Sequence, residues 1–171
     1  MKKFITGILI KAIIFSSLTY GVVHAAEWQI KNELRKADVH CLALNIYYET
    51  KAVSLADAMA VSDVVLNRVN SRHFPNTACT VIYQGKQDPH GNMIRNKCQF
   101  SWFCDGKSDE PRHQEAWERA QKFAHDIYIY GEYVGITEGS THYHASYVKP
   151  YWAPNMDRVT RIGSHYFYRM K

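Results

Sequence analysis

The chain has 171 residues and no long linker rich in glycine, serine or proline, so it has room for one globular domain behind an N-terminal tail. Hydrophobic residues make up 46% and charged residues 22% of the sequence, which is typical of a folded domain and excludes a disordered chain. The formal net charge is +5, but residues 1–25 hold three lysines and no acid, so the remainder carries about +2. Since no stripe of lysine and arginine stands out, the charge disfavours nucleic-acid binding.

The N-terminus predicts a targeting segment. Two lysines precede an apolar run over residues 4–23, and Val23-His24-Ala25 places small residues at the −3 and −1 positions of a signal peptidase site. The run has about the length needed to span a bilayer, although one lysine and several small polar residues interrupt it. Two interpretations stay open: a cleaved secretion signal, or an uncleaved weak anchor that contacts the membrane transiently. Both predict export to the periplasm or extracellular wall, with the signal or anchor at 1–25 and one folded domain at 27–171, and the protein is expected to be a monomer.

Two amphipathic helices open the predicted domain. The first runs from an Asp38 cap to about Thr50. The second begins at Ser54, which together with Asp57 resembles a capping box, and ends at about Val69. Their apolar faces consist of Val39, Leu42, Ala43 and Ile46 in the first helix and Ala58, Val61, Val65 and Val69 in the second.

The rest of the chain predicts loops, one more helix and two short strands. The predicted segments are, in order, a loop at 73–76, a polar excursion at 85–97, a helix from 111 to 130, and strands at 141–145 and 164–168. Pro111 suits the first turn of that helix, and Gly131 ends it. The strands are short and rich in tyrosine and threonine. The sequence therefore predicts an α+β fold that is mainly helical, with a small β element.

Four cysteines in an exported chain predict disulfide bonds, and four cysteines allow three pairings. Cys98 and Cys104 flank a five-residue segment that could turn back on itself. Cys41 and Cys79 would then pair by elimination and close a long loop. The alternative is a four-cysteine zinc site, but the closely spaced pairs that such sites usually carry are missing.

The position of Glu49 suggests acid–base chemistry. Glu49 lies seven residues after Leu42 and three after Ile46, so it falls on the apolar face of the first helix. Partial burial would raise its pKa and keep the carboxyl protonated near neutrality, as a general acid requires. The alternative, which spacing alone favours, is a helix-terminal glutamate in solvent or bonded to Arg68.

Short motifs follow one another over residues 40–168. They are Cys-Leu-Ala-Leu-Asn-Ile-Tyr-Tyr-Glu at 41–49, Ala-Val-Ser-Asp-Val-Val-Leu-Asn-Arg-Val at 60–69, Phe-Pro-Asn-Thr at 74–77, Val-Ile-Tyr-Gln at 81–84, Cys-Gln-Phe-Ser-Trp at 98–102, Cys-Asp-Gly at 104–106, His-Tyr-His-Ala at 142–145, Val-x-Pro-x-Trp at 148–152 and Arg-Ile-Gly-Ser-His-Tyr-Phe at 161–167. In this order they resemble the SleB-type cell wall hydrolase family, named for spore-cortex lytic enzymes.

The resemblance implies a lysozyme-like fold, a peptidoglycan-degrading enzyme and Glu49 as its catalytic acid. Many relatives continue with Ala-Arg-Gly-Glu, whereas this chain has Thr-Lys-Ala-Val at 50–53, which removes the nearest second acid. A two-carboxylate glycosidase would then need Asp57, Asp63 or Asp105. A lytic transglycosylase needs one glutamate, which acts first as acid and then as base and leaves a 1,6-anhydro sugar. The sequence therefore predicts a transglycosylase, with a hydrolytic muramidase as the alternative.

Five residues are predicted to bind the glycan strand, and no cofactor is expected. Gln99 and Ser101 alternate along a predicted extended segment, so both can face the cleft; the alternative is an exposed hairpin. Tyr143 is predicted to orient the sugar or polarise the catalytic acid. Trp102 and Trp152 are predicted to stack on sugar rings, although these aromatic residues could equally fill the core.

Other functions are less well supported by the sequence. A zinc amidase could use His142 and His144, which share one face of a strand, but its third ligand would have to be His165, His113 or Asp105. A non-enzymatic wall-binding module would explain the aromatic residues but not the setting of the glutamate. A phage endolysin and a bacterial wall remodeller fit the compact exported form equally well.

Overall fold

The computed structural model describes the backbone of residues 2–51 and 54–171 and the side chains of residues 23–51 and 54–171. Two compact units divide the chain, one ending at Ala37 and one running from Asp38 to Lys171. The predicted targeting segment lies almost entirely outside the described side chains. Within the described part of the chain, no helix is long and apolar enough to cross a membrane.

Helices precede most of the strands, and the predicted α+β class is confirmed. The elements are α1 (Lys2–Thr50), α2 (Leu55–Val69), α3 (Ala78–Ile82), β1 (Gly85–Gln87), β2 (Met93–Cys98), α4 (Gln114–Tyr130), β3 (His142–Ala145), β4 (Asp157–Ile162) and β5 (His165–Arg169), with 3-10 helices at Ser101–Cys104 and Ala153–Asn155. β1 and β2 form an antiparallel hairpin. The other three strands form an antiparallel sheet in the order β3-β5-β4.

The predicted α2 is confirmed together with its cap. The Ser54 hydroxyl accepts a hydrogen bond from the Asp57 N–H at 3.3 Å, which satisfies one of the free donors of the first turn. Ala58, Val61 and Val65 are fully buried, as the apolar spacing predicted.

The predicted start of the first helix at Asp38 is wrong, because α1 is already helical on the N-terminal side of this residue. Asp38 is buried, and its carboxylate accepts the Cys79 N–H at 2.9 Å and the Tyr128 hydroxyl at 2.7 Å. The carboxylate therefore ties α1 to α3 and α4 instead of capping a helix.

Two further segments differ from the prediction. The polar excursion at 85–97 contains the β1–β2 hairpin, whose turn is held by Asp88 accepting the N–H groups of His90 and Asn92 at 2.9 Å. Pro111 lies before α4 instead of in its first turn. Directly after Pro111, the Tyr47 hydroxyl accepts hydrogen bonds from the N–H groups of Arg112 and His113, both at 3.1 Å.

Two apolar clusters connect these elements. The larger one joins the end of α1 to α2, α3 and α4 through residues such as Leu42, Ile46 and Ile82. The smaller one consists of Ala60, Val64 and Phe167, and it joins α2 to the three-stranded sheet. The sheet is therefore held against the helix that follows Glu49 in the chain.

Both predicted disulfides are present, and none of the four cysteines is free. Cys41–Cys79 links α1 to α3, and Cys98–Cys104 closes the turn between β2 and the first 3-10 helix.

Candidate active site

Glu49 and Tyr143 meet at the centre of the candidate site. Glu49 lies on the last turn of α1, and Tyr143 lies in β3. The Tyr143 hydroxyl donates a hydrogen bond to Glu49 Oε2 at 3.0 Å. Burial and the neighbouring Glu49 charge raise the pKa of Tyr143 well above its usual value, so the phenol keeps the proton that it donates. The structure therefore brings together two residues that are 94 positions apart in the chain.

The environment of Glu49 favours its protonated form. Glu49 is partly buried, and this burial raises the pKa of its carboxyl. The hydrogen bond from Tyr143 and the positive charge of Arg68 oppose the shift but do not cancel it. The result is a carboxyl that can hold a proton closer to neutrality and still has two groups to stabilise its anion, which suits an acid that must also act as a base.

Arg68 is the buried cation of the site, and only 4% of it is exposed. Its Nε donates to the Thr141 carbonyl at 2.7 Å, and its guanidinium lies 5.3 Å from the Phe74 ring centroid and 5.4 Å from that of Phe100. Its Nη1 is buried without a hydrogen-bond partner. In the sequence, Arg68 was identified as an alternative partner of Glu49. The signal for a larger role was its spacing, since Arg68 follows Val65 by three residues on the buried face of α2.

The segment with Gln99 and Ser101 lies near this cation. Both residues are exposed, and Phe100 between them is buried and contacts the Arg68 guanidinium. The extended conformation predicted here stops at Phe100, because Ser101 begins a 3-10 helix. The predicted contacts of Gln99 and Ser101 with sugar stay predictions.

The two tryptophans have different surroundings. Trp102 is buried, donates from its indole N–H to Asn45 Oδ1 at 3.0 Å and stacks on Tyr48. Trp152 is half-buried, and its ring lies 5.5 Å from His142 and 5.6 Å from the ring of His144. Of the two, Trp152 therefore has the greater surface available to a sugar ring.

Of the other carboxylates considered for catalysis, Asp63 and Asp105 accept backbone hydrogen bonds, whereas Oδ1 of Asp57 is buried without a hydrogen-bond partner among the described residues. Asp63 is 1% exposed and accepts the N–H groups of Gly135 and Thr137 at 2.7 and 2.9 Å. Asp57 lies 3.7 Å from a ring nitrogen of His165. Asp105 accepts the N–H of Lys107, which lowers the pKa of its carboxyl. Burial places Asp63 out of reach of a substrate, whereas Asp57 and Asp105 are only partly buried.

The imidazole pair of the zinc amidase alternative, His142 and His144, lacks a third metal ligand in the described part of the chain. No three His, Cys, Asp or Glu side chains among residues 23–51 and 54–171 are grouped to hold a metal ion. His144 Nδ1 lies 2.9 Å from the Ala145 carbonyl and Nε2 lies 2.8 Å from the Tyr168 hydroxyl, so both ring nitrogens have partners. Burial, together with the Arg68 charge, lowers the pKa of His142 to about 4.

Comparison with protein families shows the family to which the chain belongs. Residues 54–168 match the model of a family described as Cell Wall Hydrolase. The chain belongs to the Cell Wall Hydrolase family. This membership supports a peptidoglycan-degrading enzyme. The matched span includes Arg68 and Tyr143 and begins five residues after Glu49.

Solved structures share the fold of this cell wall hydrolase. The catalytic domain of the Bacillus cereus SleB protein has 22% sequence identity and a TM-score of 0.54, over 78% of this chain and 91% of that chain. The catalytic domain of SleB from Bacillus anthracis, described as a germination-specific lytic transglycosylase, has 24% identity and a TM-score of 0.57, over 77% and 93%. No curated protein matches the sequence significantly. The expected SleB-type relationship is confirmed.

Proposed function

We propose that this cell wall hydrolase is a lytic transglycosylase that cleaves the β-1,4 bond between N-acetylmuramic acid and N-acetylglucosamine in peptidoglycan. The observation that carries the proposal is the partly buried Glu49 carboxyl with the Tyr143 hydroxyl at 3.0 Å. The Bacillus anthracis neighbour, described as a lytic transglycosylase, supports the same reaction class.

Glu49 acts twice in the proposed reaction. Its carboxyl first protonates the glycosidic oxygen, and the bond from that oxygen to the muramic anomeric carbon breaks. The resulting carboxylate is stabilised by the Tyr143 hydroxyl and the Arg68 charge. It then takes the proton from the 6-hydroxyl of the same muramic residue as that oxygen attacks the anomeric carbon. The product is a 1,6-anhydro sugar, and no water is consumed.

The raised pKa of Glu49 supports the first step, because an acid must be protonated before it can donate. The stabilising groups support the second step, because a base must be able to exist as an anion. A hydrolytic muramidase would use the same acid and replace the 6-hydroxyl with water, so the two reactions differ in their product.

The proposed substrate contacts come from two segments of the chain. Gln99 and Ser101 are proposed to hydrogen-bond the N-acetyl and hydroxyl groups, and Trp152 to stack on a sugar ring. Trp102 is buried, and its proposed contribution is mainly to support the segment with Gln99 and Ser101 from the core. We also infer that the protein is exported, with residues 1–25 as signal or anchor and 27–171 as the catalytic domain; the two disulfides support this, because such bonds persist in oxidising compartments.

Mass spectrometry of digested peptidoglycan tests the proposal. Purified sacculi are incubated with the protein, and the expected products are anhydro-muropeptides. Reducing muramic ends would instead indicate a muramidase, free peptides an amidase, and intact sacculi a binding module; each of these results would overturn the proposed reaction.

A second experiment tests the role of Glu49. Glu49→Gln is expected to fold normally and to lose roughly 10²–10⁴-fold in rate, the range for removal of a general acid. Glu110→Gln, at an exposed loop position, is the matched control and is expected to keep full activity. Asp57→Asn tests a rival acid. Near-normal lysis by Glu49→Gln, or a larger loss in Asp57→Asn, would refute the assignment.

A further inference from the structure

Two exposed arginines of β4 converge on one tyrosine of β5. The Arg158 guanidinium lies 5.2 Å from the Tyr166 ring centroid, and the Arg161 guanidinium lies 5.5 Å from the same centroid. The two positive charges are therefore no more than about 11 Å apart. None of the ion pairs among the described side chains involves either arginine. Two like charges held together without a carboxylate repel each other, and an anion between them would relieve this repulsion.

Strand register places both arginines on one face of the sheet. The cross-strand rows on this face are His142, Tyr168 and Arg158, followed by His144, Tyr166 and Arg161. Trp152 packs over the two histidines of these rows. The opposite face carries Tyr143, the partner of Glu49, and Phe167. The arginines thus lie on the opposite face of the sheet from Glu49 and Tyr143, and on the same face as Trp152.

We propose that Arg158 and Arg161 bind carboxylates of the peptides attached to the wall glycan. The inference rests on the proposed function, because the proposed function places the glycan at Glu49. Guanidinium groups bind carboxylates through two parallel hydrogen bonds, and they have no acceptor for a sugar hydroxyl. The Tyr166 ring holds the guanidinium groups in place, which reduces the entropy that they lose on binding.

The distance from β3 to the arginines agrees with the length of a short peptide. Neighbouring strands are about 4.8 Å apart, so β4 lies roughly 10 Å from β3 across the sheet. An extended peptide advances about 3.3 Å per residue, so roughly three residues cover this distance. Trp152, the proposed sugar-stacking residue, packs on β3 on the same face as the arginines, so a peptide that leaves a muramic residue at Trp152 can place its acidic groups at the arginines. The arginines would select glycan that carries peptides.

Binding to two forms of the same wall material tests this inference. The full chain carries Glu49→Gln, which prevents turnover. Its depletion from solution is measured with sacculi that retain their peptides and with sacculi from which an amidase has removed the peptides. The proposed preference for peptide-bearing sacculi is expected to fall roughly tenfold in Arg158→Gln/Arg161→Gln, the scale of two solvent-exposed ion pairs. Lys86→Gln/Lys97→Gln removes the same charge from the β1–β2 hairpin and is expected to keep the preference.

The outcomes separate this inference from the proposed reaction. Equal weakening on both materials, or no change in the arginine variant, overturns the peptide site. Phosphate at about 10 mM fills a weak anion site whose Kd is about 1 mM. If this phosphate abolishes peptide-dependent binding and a soluble acidic peptide does not compete, the arginines form a phosphate site and the peptide site is also overturned. Fragments released by Glu49→Gln would refute the proposed acid, and binding would then be compared at low temperature. Arg158→Lys/Arg161→Lys retains the charge, so it must recover part of the preference; if it recovers none while its thermal midpoint is unchanged, the charge-based recognition is wrong.

Discussion

Tyr143→Phe isolates the hydrogen bond that carries the functional proposal. The substitution removes the hydroxyl that donates to Glu49 at 3.0 Å and leaves the ring in place, 5.7 Å from the Phe167 ring. A hydrogen bond to a charged group contributes about 1.5–3 kcal/mol. In the proposed reaction Glu49 becomes an anion as the glycosidic bond breaks, so the bond strengthens in the transition state. We therefore expect kcat/KM to fall roughly ten- to hundredfold.

The same substitution must also change the pH dependence. The Tyr143 hydrogen bond lowers the pKa of Glu49, so its loss raises that pKa further. A general acid works only while protonated, and activity falls as the pH rises through its pKa. The alkaline limb of the pH profile is therefore expected to move to higher pH in Tyr143→Phe.

Release of soluble fragments from purified sacculi, followed across a range of pH, measures both effects. Tyr147→Phe is the matched control, because Tyr147 is 87% exposed and lies in the loop after β3. Its rate and profile are expected to be those of the unmodified protein. If Tyr143→Phe behaves like this control, or if its alkaline limb moves to lower pH, the role assigned to Tyr143 is wrong.

Three further predictions concern stability, and denaturant unfolding checks each of them. Cys41→Ser/Cys79→Ser opens a bridge with a sequence separation of 38, and the loop-entropy relation gives a loss of about 4 kcal/mol; no loss would contradict it. Asp63→Asn removes a buried carboxylate that accepts two backbone hydrogen bonds, so we expect the free energy of unfolding to fall by about 3 kcal/mol or more and kcat to be retained. Lost turnover without destabilisation would instead indicate a catalytic role for Asp63. The pKa of Glu49 is raised in the folded state, so its ionisation lowers the free energy of unfolding once the pH exceeds the pKa of the unfolded state. Glu49→Gln should therefore gain stability relative to the parent protein as the pH increases and show no gain in acid.

Local patterns were sufficient to predict α2 and to place Glu49 on the apolar face of the first helix. The Ser54 cap and the spacing of Val61 and Val65 involve residues within one helix, so the physics that forms the helix can be read from adjacent positions. The spacing of Glu49 to Ile46 likewise placed it on the apolar face of the first helix, but spacing alone favoured a glutamate in solvent or bonded to Arg68. Resemblance to a family was needed to choose catalysis over the alternative of an exposed glutamate.

Residues that act through distant partners could not be predicted in this way. Asp38 looked like a helix cap, but its carboxylate binds Cys79 and Tyr128, which lie 41 and 90 positions away. The β1–β2 hairpin was described only as polar, because most of its residues are exposed and it has no alternation of apolar side chains. Arg68 likewise depends on the Thr141 carbonyl, 73 positions later.

The position of Tyr143 shows why packing decides the chemistry of the site. His142, Tyr143 and His144 are consecutive, and alternate residues of a strand point to opposite faces, so a shift of one position would turn a histidine toward Glu49. Tyr143 pairs with Phe167 across the strands, and Phe167 is buried against Ala60 and Val64 of α2. Exposing Phe167 would cost about 1.5–3 kcal/mol of apolar burial. The apolar contact between β5 and α2 therefore selects the tyrosine, rather than a histidine, as the hydrogen-bond donor to Glu49.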